Sequence, residues 1–277
     1  MPFPQHPRKH AHPPLFTARA FLDYLERTGA RPTPAPRTVL LVFSPRLAER
    51  AAARWGARRE AGSRRDYRLG RGARAIGLTE VRGVGAPALS VTVEELVARG
   101  ARRLVSVGLA GAVDPALRVG QSILCTRALR DEGTSFHYAP AGRWAYPSPG
   151  LTASLRSALA ARGVPLERGS SWTIDAPYRE TVAELRSVRR RGIATVEMEA
   201  SALFTIARVL GVESAALFTV SDLLDERGWT PRFAEALGPL EALLDLTRDV
   251  VRSLPEPRDA SGARGARPGR ARGSKAQ

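Results

Sequence analysis

Two short apolar runs that each end in carboxylates constrain this chain more than anything else in it. Ile193-Ala194-Thr195-Val196 leads directly into Glu197-Met198-Glu199, and Ala215-Ala216-Leu217-Phe218-Thr219-Val220 leads into Ser221-Asp222. Apolar runs of this length and composition read as strands buried on both faces. An α/β sheet builds its sites in the crevice outside the carboxyl ends of its strands, so these runs deliver acids to one end of such a sheet. A purely structural role fits equally well: Glu199 heads the helical stretch 199–211, where a negative charge suits the helix dipole.

The rest of the chain alternates in the same way. Strands are expected at 38–43, 73–81, 104–108, 121–129 and 170–174, and helices at 17–29, 46–55, 88–99, 151–162, 179–191 and 233–253. Leu89, Val93, Leu96 and Val97 share one face of the 88–99 segment, as do Leu237, Leu240, Leu244 and their neighbours in the last helix. Strands alternating with helices argue for a mixed sheet covered by helices on both sides. The expected fold is therefore α/β, a single-domain three-layer sandwich. Residues 1–36 form an N-terminal extension with a helix and a Pro-rich linker, 37–254 the domain, and 255–277 a disordered basic tail.

Composition excludes several classes of function. No apolar stretch approaches the ~20 residues of a membrane span, and the N-terminus lacks the apolar core of a signal peptide. Cys125 is the only cysteine, which precludes an internal disulfide and fits a reducing, cytoplasmic setting. The formal charge of +16 comes almost wholly from arginine, with Lys9 and Lys275 the only lysines. The tail carries Arg258, Arg264, Arg267, Arg270, Arg272 and Lys275 against Asp259. Lacking apolar periodicity and any zinc or recognition-helix pattern, it reads as solvated rather than as a nucleic-acid arm. No metal-ligand spacing is present, and neither a metal nor a cofactor is expected.

Glu197-Met198-Glu199-Ala200 and Ser221-Asp222 resemble the ribose-binding and base-protonating motifs of the nucleoside phosphorylase family, which holds purine nucleoside and uridine phosphorylases and methylthioadenosine nucleosidases. Gly83-Val84-Gly85-Ala86-Pro87, Glu94-Glu95-Leu96 and Gly108-Leu109-Ala110-Gly111 are similar to the family's glycine-rich first half. Arg130 to Tyr138 and Trp172 to Glu180 resemble a uridine-phosphorylase-like branch. The likeness runs from about residue 38 to 225, with the motifs in the family's order.

The resemblance implies an enzyme that cleaves an N-glycosidic bond, with inorganic phosphate as co-substrate and no cofactor. It implies Glu199 accepting hydrogen bonds from both ribose hydroxyls, Met198 against the sugar, and Val196, Glu197 and Ser221 bordering the base. Asp222 takes the catalytic role of protonating the departing base, a family feature of purine sites. Phe136, His137, Tyr138 and Tyr178 are candidates for a stacking wall and Asp175 for a polar contact, although Asp175 also suits a turn. His10 or His12 is a candidate for the sugar 5′-hydroxyl. The phosphate site departs from the family: Ser106 stands where an arginine is expected and Leu109 where a hydroxyl is expected. Gly108, Gly111 and Arg46 remain as candidate phosphate ligands. The chain is thus expected to be a pentosyltransferase acting on a purine or uridine-type nucleoside, cytoplasmic and homo-oligomeric. A nucleosidase using water, with Glu132 as its base, and a nucleoside binder without turnover stay open.

Overall fold

The structure is a computed structural model and describes residues 9–257 together with Pro4 and His6. The basic tail beyond Pro257 lies outside the described residues.

The chain runs α1 (Ala18–Arg27), β1 (Thr38–Val42), α2 (Pro45–Trp55), β2 (Arg58–Arg59), β3 (Asp66–Leu69), β4 (Ile76–Glu80) and α3 (Gly85–Ala98). It continues with β5 (Arg103–Ala112), β6 (Ser122–Asp131), β7 (Trp144–Ala145), α4 (Pro149–Ala160), β8 (Leu166–Ile174) and α5 (Val182–Arg190). The last elements are β9 (Ile193–Glu197), α6 (Ala200–Leu210), β10 (Glu213–Asp225), β11 (Gly228–Pro231) and α7 (Phe233–Ser253). All strands join one mixed sheet in the order β11-β10-β6-β8-β9-β5-β1-β4-β3-β2, with β7 on β6.

That sheet curls until it meets itself. β5 pairs with β10 along its whole length, while its other edge pairs first with β1 and then, at Gly111 and Ala112, with β9. Strands β10, β6, β8, β9 and β5 therefore form a closed circuit, and the ends of β5, β9 and β10 converge. Those are the strands that carry the acidic motifs.

Alternation along the strands divides the core. Val39 and Leu41 of β1 face α3 and α6 in a layer with Leu89, Val93, Phe204 and Ile206. Leu40 and Val42 face the opposite way, toward α2, α4 and α7, among Trp55, Leu155 and Leu244. A third cluster under α5 holds Trp172, Ile174, Leu185 and Val196. The central sheet flanked by helices is the architecture the alternating pattern predicts.

The differences from expectation lie at element ends. Helix α5 begins at Val182 rather than at 179, because Thr181 and Glu184 form a reciprocal capping box that fixes the start; Pro177–Arg179 is a separate 3₁₀ turn. β5 continues beyond Gly108 to Ala112, where small residues pair because β9 and β10 flank them. The strand expected to stop at Asp222 runs on to Asp225 and turns back into β11. The short β2–β3 hairpin, rich in arginine and weak in pattern, is not legible from sequence.

Trp172 is 1% exposed, and its indole N–H donates to Asp131 at 2.7 Å. Trp172→Ala removes that donor and leaves a large void, so it is expected to cost about 3–5 kcal/mol. The check is a lower urea midpoint at unchanged slope.

Candidate functional site

At the converging strand ends lies a cavity of about 660 Å³. Gly111 of β5, Val196 and Glu197 of β9, and Ser221 and Asp222 of β10 line it, with Met198, Glu180 and Trp229 completing the walls. Leu109, Ile174 and Leu185 supply apolar surface, and Tyr178 and Phe233 stand at its margin.

Asp222 is set by a defect in the ladder. Between β10 and β5, Val220 pairs with Ala110 but Asp222 pairs with Gly111, so Ser221 is an extra, bulged residue. A bulge bends the strand and re-aims its side chains. Here it lets the Ser221 hydroxyl donate to Asp222 Oδ1 at 2.6 Å while the Trp229 indole donates to Oδ2 at 2.8 Å. Gly111 makes room for this carboxylate: a Cβ there would lie 2.8 Å from Asp222 Oδ2 and 2.6 Å from Leu224 Cδ1.

Glu197 has a different task. Its Oε1 accepts from Thr173 Oγ1 at 2.6 Å and Ser171 Oγ at 3.2 Å; its Oε2 accepts from the backbone N–H groups of Glu199 and Ala200 at 2.8 and 2.7 Å. It is Glu197, not Glu199, whose side chain caps α6. Burial pushes the Glu197 carboxyl above its usual range, against the pull of those donors.

Glu199 lies next to Met198 but is not among the residues lining the cavity. Its Oε1 accepts from the Gly85 N–H at 2.7 Å, which joins the start of α3 to the start of α6. Gly85 has φ +84°, a conformation reserved for glycine, and Met198 Cε packs 3.6 Å from where a Cβ would stand. Burial and the neighbouring Glu197 push Glu199 up to about 8.

The other candidates lie elsewhere. Asp175 accepts from the Gly133 N–H at 2.7 Å and pins that turn, so it behaves as a turn residue. Phe136 stacks under the Arg130 guanidinium at 4.3 Å, and its carbonyl is bonded to the His10 ring at 2.8 Å. Neither lines the cavity. Tyr138 hydrogen-bonds Glu94. Glu132 is buried, bonded to the Ser135 N–H and the Ser201 hydroxyl, and does not face the cavity as an activator of water would. Gly108 lies under the Phe43 ring and Arg46 on the exposed first turn of α2; neither lines the cavity, and Gly111 sits beside Asp222. Ser106 is buried, while Leu109 does face the cavity.

Glu180 and Trp229 are functional candidates that the motifs alone miss. Glu180 is pushed up to about 7 by burial, then by the nearby charges of Asp222 and Glu184. An acid directly before the Thr181/Glu184 capping box is the signal that marks it. Trp229 follows the turn closed by Asp225, whose carboxylate accepts from the Arg227 and Gly228 N–H groups at 2.7 and 3.0 Å.

A closed mixed sheet with helices on both sides, and a cavity where β5, β9 and β10 converge, define the class. The family model of the phosphorylase superfamily matches residues 26–245, and the chain belongs to that family. It is 29% identical over 214 residues to a uridine phosphorylase of Thermococcus kodakarensis, covering 69% of this chain and 75% of that protein. It is 31% identical over 147 residues to a DeoD-type purine nucleoside phosphorylase of Bacillus cytotoxicus, covering 50% of this chain and 60% of that protein. Among solved structures, a purine nucleoside phosphorylase from Toxoplasma gondii superposes with a TM-score of 0.71 at 21% identity, covering 79% of this chain and 92% of that one. A uridine phosphorylase from Vibrio fischeri gives 0.71 at 22%, covering 82% and 98%. These superpositions establish the shared fold.

The Glu199 shift carries a stability consequence. With a folded value near 8 and an unfolded one of about 4.3, the native state holds the extra proton between them. Stability is therefore fully present below the unfolded value and is lost as pH rises through 8. Melting from pH 5 to pH 9 should show a smaller loss for Glu199→Gln than for the wild type. Parallel curves would mean that Glu199 ionises normally.

Proposed function

We propose that this protein is a nucleoside phosphorylase, cleaving the N-glycosidic bond of a purine or uridine-type nucleoside with inorganic phosphate to give free base and ribose 1-phosphate. The observation that carries this reading is Asp222, held by Ser221 and Trp229 on the wall of an otherwise largely apolar cavity. Phosphate attacks C1′ from the face opposite the base, the C1′–N bond breaks with its electron pair going to the base, and C1′ inverts. The departing base takes up a proton, which Asp222 delivers in this reading; its position on the cavity wall supports that role. General acid assistance of this kind is worth about 10²–10⁴-fold.

The sugar lies along Met198, with Glu199 as acceptor for its two vicinal hydroxyls, a charge-assisted arrangement. That role requires the ionised carboxyl, so nucleoside affinity is expected to rise as pH climbs toward 8. For phosphate, Gly108 and Arg46 are the ligands in this reading, Arg46 supplying charge in place of the arginine and hydroxyl that Ser106 and Leu109 replace.

Residues 37–254 form the catalytic unit in this reading, supported by the span of the family match. Homo-oligomerisation is part of this reading, supported by the apolar side chains of Tyr178, Trp229 and Phe233, which are exposed at the cavity margin. No helix among the described residues is long and apolar enough to cross a membrane. The cytoplasm is the setting we assign.

The test is base release from inosine, guanosine, adenosine and uridine, with and without phosphate. Ribose 1-phosphate formed only with phosphate upholds the reading; free ribose formed equally without phosphate overturns it in favour of hydrolysis. Asp222→Asn is expected to lower kcat by about 10²–10⁴-fold with binding retained. Glu199→Ala should raise KM for nucleosides more than it weakens binding of free bases.

A further inference from the structure

We propose that a second cavity, bordered by α1, the turn between β2 and β3, and α3, is a binding site for an oligophosphate, a ligand with two or more linked phosphoryl groups. It shares no lining residue with the cavity at the converging strand ends. The proposal stands whether or not the protein cleaves nucleosides.

This cavity has a volume of about 720 Å³, within the range of ~300–1,000 Å³ for small-molecule sites. Five arginines line it, Arg31, Arg64, Arg65, Arg82 and Arg99, against two carboxylates, Asp66 and Glu95. The cavity at the strand ends has the opposite character, with acids in its lining and, among the described residues, no arginine, lysine or histidine.

Both carboxylates of the second cavity are already engaged. Asp66 Oδ1 accepts from the Thr79 hydroxyl at 2.9 Å and Oδ2 from Arg99 at 2.8 Å, while Glu95 Oε2 accepts from Arg65 at 2.6 Å. These pairs use up Arg65 and Arg99 and brace the walls. Arg99 also donates to the Thr33 carbonyl at 2.8 Å, which ties the end of α3 to the linker after α1. Arg31, Arg64 and Arg82 are left without an acceptor among the described residues.

Those three come from separate segments: the linker after α1, the β2–β3 turn, and the turn between β4 and α3. A basic stretch of sequence clusters charge by composition alone, whereas here the fold brings three unpaired guanidinium groups around one space. Like charges so gathered repel one another, and a bound anion reverses the sign of that interaction. Ser63 adds a neutral donor. Its oxygen accepts from the N–H groups of Arg65 and Asp66 at 3.2 and 3.1 Å, which leaves its own proton to give. Leu22 and Leu25 supply apolar surface on the α1 side.

The chemistry of the ligand follows from these groups. A guanidinium matches the oxygens of a phosphoryl group in a bidentate fashion. One phosphate group carries about 1.5–2 negative charges near pH 7, so three free guanidinium groups on three segments call for several such groups in a chain. A neutral nucleoside offers them nothing. Two sources share this chemistry: an inorganic polyphosphate chain, and the chain of a nucleoside triphosphate, whose base would rest on Leu22 and Leu25.

The experiment is calorimetric titration of the full-length protein with tripolyphosphate, orthophosphate, ATP and adenosine at fixed ionic strength. It compares the wild type with Arg64→Gln/Arg82→Gln and with Arg156→Gln/Arg168→Gln, a control that removes the same charge from exposed arginines outside this cavity. Tripolyphosphate should bind the wild type at least about tenfold more tightly than orthophosphate. Arg64→Gln/Arg82→Gln should weaken it on the order of 10- to 100-fold, the range for losing hydrogen bonds to a charged group. The control should stay within about twofold, because salt screens distant surface charges. Arg64 and Arg82 are exposed and unpaired, so their variant should melt with the wild type; Arg31→Gln repeats the test if it does not fold. ATP binding more tightly than tripolyphosphate upholds the site and assigns it to a nucleotide; equal affinities uphold it and assign the bare chain. Tripolyphosphate no tighter than orthophosphate, ATP no tighter than adenosine, or a loss as large in the control overturns the proposal, the last by showing that the overall charge of +16 acts diffusely.

Discussion

The carboxylate of Glu197 organises the site although all its bonds are internal. Its two oxygens gather the hydroxyls of Ser171 and Thr173 from β8 and the first backbone N–H groups of α6. One buried acid thus ties β9 to β8 and seats the helix that follows. A helix start leaves several N–H groups without partners, and here the strand before it supplies the acceptor. The turn between, Met198-Glu199, is held in place as a result, so these two residues inherit their positions from a neighbour whose own bonds are all internal. Removing one partner from such a buried network costs more than the bond itself, because the others lose their acceptor.

The closed sheet explains why three separate strands serve one cavity. β5 contributes a glycine, β9 an acid that becomes a cap, and β10 a bulged serine followed by the acid that faces the cavity. In an open sheet these ends would lie side by side along one edge. Closing the circuit brings β9 against the end of β5 opposite β10, and Gly111 is the point where all three meet. The absence of any side chain at Gly111 is therefore as much a part of the site as Asp222 itself.

Much of this was legible in the sequence, and the reasons are local. Val196-Glu197 and Val220-Ser221-Asp222 announce themselves because buried strands leave few places for acids, and both motifs do reach the cavity. The period-3.6 spacing of Leu240, Leu243 and Leu244 marks α7 at its observed bounds. The misplacements arise where tertiary contacts decide. Asp175 and Phe136 look like site residues because loops near strand ends often are, yet one pins a turn and the other packs under Arg130. Which of the two glutamates flanking Met198 caps the helix depends on the path of the turn between them, which no spacing rule encodes. The continuation of β10 beyond Asp222 is set by pairing with β11, so Trp229 stays hidden until the hairpin is seen.

That hairpin has a further consequence. Trp229 is 59% exposed, yet its N–H occupies the Asp222 oxygen nearest Gly111. Both oxygens of Asp222 are thus engaged by protein donors, one from the bulged serine beside it and one from the hairpin. The Trp229 indole, carried on a two-stranded ribbon at the sheet edge, is thereby a fluorophore fixed to the cavity wall.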